Sequence, residues 1–141
     1  MIADAQFHAL WRQGKHRQAI GAYRKVGRLF WLADQVGRYY ERRGLIKKAV
    51  AEYEYQMDIY SKMGKNGILP LPRGPRELFF LGKYFSCRNS GKAKAKRYLL
   101  LYLDAERQWK GDPAFYLRHK NSTKNILNRL EMKNDKENCS L

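Results

Sequence analysis

The sequence predicts an all-α protein, an array of helix pairs closed by a C-terminal capping helix. Three observations carry that prediction. The first is an internal repeat: residues 10–23 and 40–53 align so that Gly14 meets Gly44, Ala19 meets Ala49, Ile20 meets Val50 and Tyr23 meets Tyr53. The second is helical spacing of small and apolar residues, as in Leu78, Leu81, Gly82 and Phe85, or in Ala95, Leu99, Tyr102 and Leu103. The third is that all four prolines lie at residue 70 or beyond, which argues against an all-β chain.

The first pair is expected over residues 3–13 and 15–26. Gly14 ends the first helix in a left-handed conformation that other residues resist, and the next helix starts at once. Ala19 at the crossing lets the two helices approach closely, and Tyr23 one turn later fills the space beside it. The second pair, 29–43 with 45–62, uses Gly44, Ala49 and Tyr53 in the same way. Ala49 is expected to lie buried against Val36, Tyr40 and Tyr53.

Residues 64–75 hold three prolines and three glycines in twelve positions and cannot sustain a helix, so a loop is expected over 63–75. The third pair is 75–89 with 92–109. Its Ser90-Gly91 turn is one residue longer, since Gly91 stands four rather than five residues before its Ala. Gly111-Asp112-Pro113 then signals a helix start, with Asp112 as N-cap and Pro113 in the first helical position. A helix over 113–131, with Tyr116, Thr123, Ile126, Leu127 and Leu130 near one face, suits the terminal element that a stacked array needs. Residues 1–131 thus read as a single domain, and 132–141 as a polar disordered tail.

Composition narrows the class. The 141 residues carry 29 Lys plus Arg against 13 Asp plus Glu, a net charge of +16. Hydrophobic residues make up 44%, with ten Tyr, six Phe and three Trp, which excludes a disordered basic tail. No apolar run approaches the ~20 residues of a membrane span, so no membrane insertion is expected. The first residues read neither as a signal peptide nor as a basic transit peptide. Two cysteines, Cys87 and Cys139, are too few for a disulfide scaffold. Reduced thiols and a cytoplasmic location follow as the expectation.

The repeat resembles the tetratricopeptide repeat (TPR) family, helix-turn-helix units of about 34 residues. The second copy carries most of the likeness: Gly37 and Tyr40 match the first-helix Gly and aromatic, and Gly44, Ala49 and Tyr53 match the turn Gly, second-helix Ala and following aromatic. Gly14, Ala19 and Tyr23 match in the first copy, and Leu81-Gly82 and Ala95 in the third. The likeness covers about residues 2–109. It implies a right-handed α-solenoid of antiparallel helix pairs. The family's concave groove, lined by the first helix of each pair, binds partner segments and does not catalyse. Carried over by position, that groove takes Asp4, His8 and Arg12 from the first copy. It takes Trp31, Asp34, Arg38 and Arg42 from the second, and Arg76, Phe79 and Lys83 from the third. The family subtype that grips a C-terminal carboxylate uses a Lys/Asn clamp; here Asp34 and Arg38 replace its asparagines, so an internal acidic segment is the expected ligand.

Nothing in the residue pattern points to catalysis, so no enzyme activity and no cofactor are expected. No Gly-x-x-x-x-Gly-Lys-Ser/Thr phosphate loop is present. His8, His16 and His119 are far apart, with no Cys or carboxylate at ligand spacing, so no metal site is expected. Cys87 reads as a structural residue rather than a nucleophile. The charge points outward instead. An excess of +16 repels itself in a compact domain and usually coexists with an acidic partner. An acidic protein segment in the groove is the leading expectation. The alternative is RNA or DNA held by phosphate contacts, with Lys92, Lys94, Lys96 and Arg97 as the densest cationic group.

Overall fold

The computed structural model describes residues 2–64, 75–108 and 113–131. Among them are seven α-helices and no strand: α1 (Ile2–Arg12), α2 (His16–Lys25), α3 (Ala33–Arg42), α4 (Ile46–Met63), α5 (Arg76–Ser86), α6 (Lys92–Gln108) and α7 (Pro113–Glu131). The all-α expectation holds, and each predicted helix is present within a few residues of its predicted ends. The loop interior and the polar tail lie outside the described residues. The chain divides into two compact units, Met1–Ile59 and Tyr60–Leu141.

In the first unit α1 packs on α2, and α3 packs on α4 through Gly37 and Tyr53. Two turns of the same build join these helices. Gly14 (φ 77°) and Gly44 (φ 72°) take the left-handed conformation that the repeat demanded. The amide after each reaches back to the last turn, Lys15 N to Leu10 O at 3.0 Å and Leu45 N to Tyr40 O at 2.9 Å, so each helix end is closed by backbone alone. Phe7, Ala19, Tyr23, Leu32, Ala33, Val36, Ala49 and Tyr53 form the core, all with no exposed surface. Ala49 and its three expected neighbours Val36, Tyr40 and Tyr53 are all buried.

One element differs from expectation. The helix expected over 29–43 begins as a 3-10 turn at Phe30–Leu32 before α3 proper. Gln56 of α4 explains the break: its Nε2 donates to Phe30 O and to Asp34 Oδ1, both at 3.0 Å, and so fixes the start of α3 from across the core.

In the second unit α5 packs on α6, and α7 lies against both. Leu78, Leu81, Ala95, Leu99 and Tyr102 are fully buried. Thr123 of α7 is buried too, and its Oγ1 meets no hydrogen-bond partner among the described residues. A buried hydroxyl without a partner costs about 1–3 kcal/mol, and its apolar isostere does not. Thr123→Val is therefore expected to stabilise the unit by about 1 kcal/mol. A melting temperature that fails to rise in this variant refutes the packing described for α7.

Candidate functional site

Three of the chain's carboxylate-free cationic stretches surround the turns within its helix pairs. Residues 5–33 hold Arg12, Lys15, Arg17, Arg24, Lys25 and Arg28; residues 42–51 hold Arg42, Arg43, Lys47 and Lys48; residues 78–103 hold Lys83, Arg88, Lys92, Lys94, Lys96 and Arg97. They contain the α1–α2, α3–α4 and α5–α6 turns respectively, and the first also spans the α2–α3 link. Three of the carboxylates are turned inward instead, with Asp34 and Glu52 each 3% exposed and Glu77 2%. Folding thus separates charge, with cations concentrated around the turns.

Aromatic rings hold several of these cations in place. Arg43 lies 4.8 Å from the Tyr39 ring and Arg88 4.3 Å from Tyr84, each from the turn onto the preceding helix. From the following helix, Lys48 lies 5.6 Å from Tyr40 and Lys94 4.9 Å from Phe85. The adjacent pairs Tyr39-Tyr40 and Tyr84-Phe85 therefore carry one cation from each side of their turns, in both units. Such a contact contributes only about 0.5–1 kcal/mol at an exposed site, but it restricts where a long side chain points.

The first unit also has a recess of about 340 Å³ lined by Lys15, His16, Arg17 and Gln18 at the start of α2, and by Tyr39 and Arg43 from the end of α3. His16 lies 4.4 Å from the Trp11 ring and 5.4 Å from Tyr39, and Phe7 stacks on Trp11 at 5.2 Å. Lys15 caps α2 without a side-chain hydrogen bond, and no acidic residue stands in the first turn. The amides of His16, Arg17 and Gln18 thus find no acceptor within their own helix.

The groove residues expected from the sequence fare differently. Arg12 and Arg42 are exposed and Arg38 is half-buried. Trp31 is half-buried, and its Nε1 donates to Asp4 Oδ1 at 2.9 Å, which also faces His8 Nε2 at 3.4 Å. Asp34 departs from expectation: it lies on the buried stripe of α3 with Val36, Gly37 and Tyr40, where Gln56 satisfies it, so it is not a lining carboxylate. In the second unit Arg76 stands 3.6 Å from buried Glu77, and Lys83 is half-buried. Phe79 packs against His119 of α7 at 4.3 Å and Tyr102 at 5.6 Å, which makes it a contact between α5, α6 and α7. Lys94, Lys96 and Arg97 are exposed and Lys92 half-buried.

Two further expectations meet the structure here. Cys87 is half-buried just after α5, with its Sγ 3.4 Å from Lys83 O. Among the described residues, no helix is long and apolar enough to cross a membrane. Lys15, Arg17, Tyr39 and Arg43 were not singled out by the residue pattern. The carboxylate-free stretches around the turns are the signal that locates them. No protein-family model matches this chain, and no curated protein or solved structure is significantly similar to it.

Proposed function

We propose that this protein is a non-catalytic scaffold, a right-handed TPR-like α-solenoid of antiparallel helix pairs, that binds an acidic segment of a partner protein. The observation that carries this is the separation of charge, with the α1–α2, α3–α4 and α5–α6 turns each inside a carboxylate-free cationic stretch. The left-handed glycine turns and the helix packing within each unit support the pair architecture. Nucleic acid is the weaker reading, because the rings beside the cations have little face left for a base. Tyr40, Tyr84 and Tyr98 are buried, and Tyr39 and Phe85 each lie under a cation.

Arg38 and Arg42, one turn apart on α3, are the cations with which to test it. Binding of a fluorescein-labelled Glu-rich peptide should weaken about tenfold or more in Arg38→Glu/Arg42→Glu, since removing about 1.4 kcal/mol from binding is tenfold. The variant's melting curve should stay close to that of the unaltered protein, because surface changes usually cost within about 0.5 kcal/mol each. Retained peptide binding in this variant, with loss on reversing Lys92, Lys94, Lys96 and Arg97, overturns the choice of site. Tighter binding of single-stranded RNA, falling steeply with salt, overturns the choice of partner.

A further inference from the structure

We infer that the recess between α2 and α3 in the first unit is a subsite for a phosphorylated side chain of the acidic partner. The inference rests on the proposed function, to which it adds one pocket and one chemical group. Its lining includes Lys15, Arg17 and Arg43 and no carboxylate. Among the described residues, the Lys15 and Arg17 side chains make no ion pair or hydrogen bond, while the Arg43 guanidinium is committed only to the face of Tyr39. Three cations therefore converge on one concavity without neutralising one another's field through any acid. That arrangement costs stability by mutual repulsion unless an anion occupies it.

The chemistry of the lining favours a phosphate over a carboxylate. A phosphate monoester carries about −1.5 to −2 charge near neutral pH and three acceptor oxygens. The recess offers matching donors of three kinds: guanidinium forks on Arg17 and Arg43, the Lys15 ammonium, and the uncapped amides at the start of α2. A single carboxylate would leave most of them unused. The volume of about 340 Å³ exceeds what a bare phosphate fills, so there is room for the side chain that bears it. The Trp11, His16 and Tyr39 rings form a stiff wall beside it, and Arg43 is already oriented by its ring contact. Arg43 is thus held in place before the ligand arrives, which lowers the ordering cost of binding.

The test uses the full chain and two labelled decapeptides of Glu and Ala that differ only in a central serine or phosphoserine. The phosphorylated peptide should bind at least about tenfold tighter. Arg17→Ala/Arg43→Ala should erase that preference while keeping the affinity for the unphosphorylated peptide within about twofold, because both substitutions lie outside α3 and leave Arg38 and Arg42 in place. In Arg38→Glu/Arg42→Glu both affinities should fall and the preference should remain. Equal binding of the two peptides by the unaltered protein overturns the subsite and leaves the scaffold reading standing. So does a preference that survives Arg17→Ala/Arg43→Ala. Failure of both peptides to bind overturns the subsite and the scaffold reading together. Inorganic phosphate that displaces the phosphopeptide at equal concentration overturns the assignment to a peptide-borne group, because the recess then holds free oxyanion equally well. Circular-dichroism melting curves of both double variants establish that each binding result comes from a folded chain.

Discussion

Glu52→Ala should destabilise the first unit by about 2–4 kcal/mol. Glu52 is 3% exposed, accepts a 2.6 Å hydrogen bond from Tyr23 Oη and lies 3.3 Å from Arg28 Nη2. Removing it leaves the Tyr23 hydroxyl without an acceptor where the residue has no exposed surface, a loss of about 1–3 kcal/mol. The vacated volume adds to that. Breaking a fully buried ion pair costs about 3–5 kcal/mol, but the Arg28 side chain is 36% exposed and regains water, so the lower range applies. Arg28 also holds φ 59°, unfavourable for a residue with a side chain. Its guanidinium lies 4.2 Å from the Tyr55 ring, while Tyr55 Oη donates to Arg28 O at 2.7 Å, so one network fixes the link from α2 to α3. Arg28→Gly should therefore cost less than Arg28→Ala, since glycine removes the backbone strain. Urea unfolding with an unchanged slope measures all three, and a Glu52→Ala loss below about 0.5 kcal/mol refutes the network.

The same network fixes a pH dependence. Burial pushes the Tyr23 phenol far above the ordinary tyrosine value of about 10, and its hydrogen bond to Glu52 and that residue's charge push it the same way, against Arg28. A pKa raised by folding means that the folded state holds its proton more tightly. The stability gained is fully present below about pH 10 and is lost as pH rises above it.

The helix frame was legible because it obeys local rules. Gly14 and Gly44 stop helices wherever they stand, and Ala19, Ala49 and Ala95 mark crossings since nothing larger fits; all three alanines are fully buried. The site was less legible because charge placement depends on tertiary partners. Asp34 and Glu52 look like surface carboxylates in the sequence, but Gln56 and Tyr23, distant in the chain, draw them inside. The 3-10 turn before α3 was hidden for the same reason, its cause being the Gln56 amide. Trp31 shows the same limit: it was expected on the first helix of the second pair, but it lies in the 3-10 turn before α3, and its bond to Asp4 required α1 to be in position.

Gly37→Ala and Gly82→Ala should each destabilise by about 1–3 kcal/mol, although alanine in a helix interior ordinarily gains about 1 kcal/mol over glycine. A Cβ on Gly37 would come under 3.0 Å from three atoms of the Tyr53 ring, and one on Gly82 would lie 2.5 Å from Leu99 Cγ. Neither neighbour can swing away. The Tyr53 ring is fully buried and its hydroxyl donates to Glu41 Oε1 at 2.7 Å; the Leu99 contact is at the branch point of a fully buried side chain. Overpacking of this kind costs about 1–3 kcal/mol or more and outweighs the helix-propensity gain. The two sites share a reason: in each unit a first-helix glycine receives a large side chain from the second helix, at corresponding places in the repeat. Combining Gly82→Ala with Leu99→Ala should therefore cost at least about 1 kcal/mol less than the sum of the single losses, because the shortened side chain makes room for the new methyl. Strict additivity, or a melting temperature raised by either glycine substitution, would show that the helices do not approach this closely and would remove the structural basis for treating the α3–α4 and α5–α6 pairs as copies of one motif.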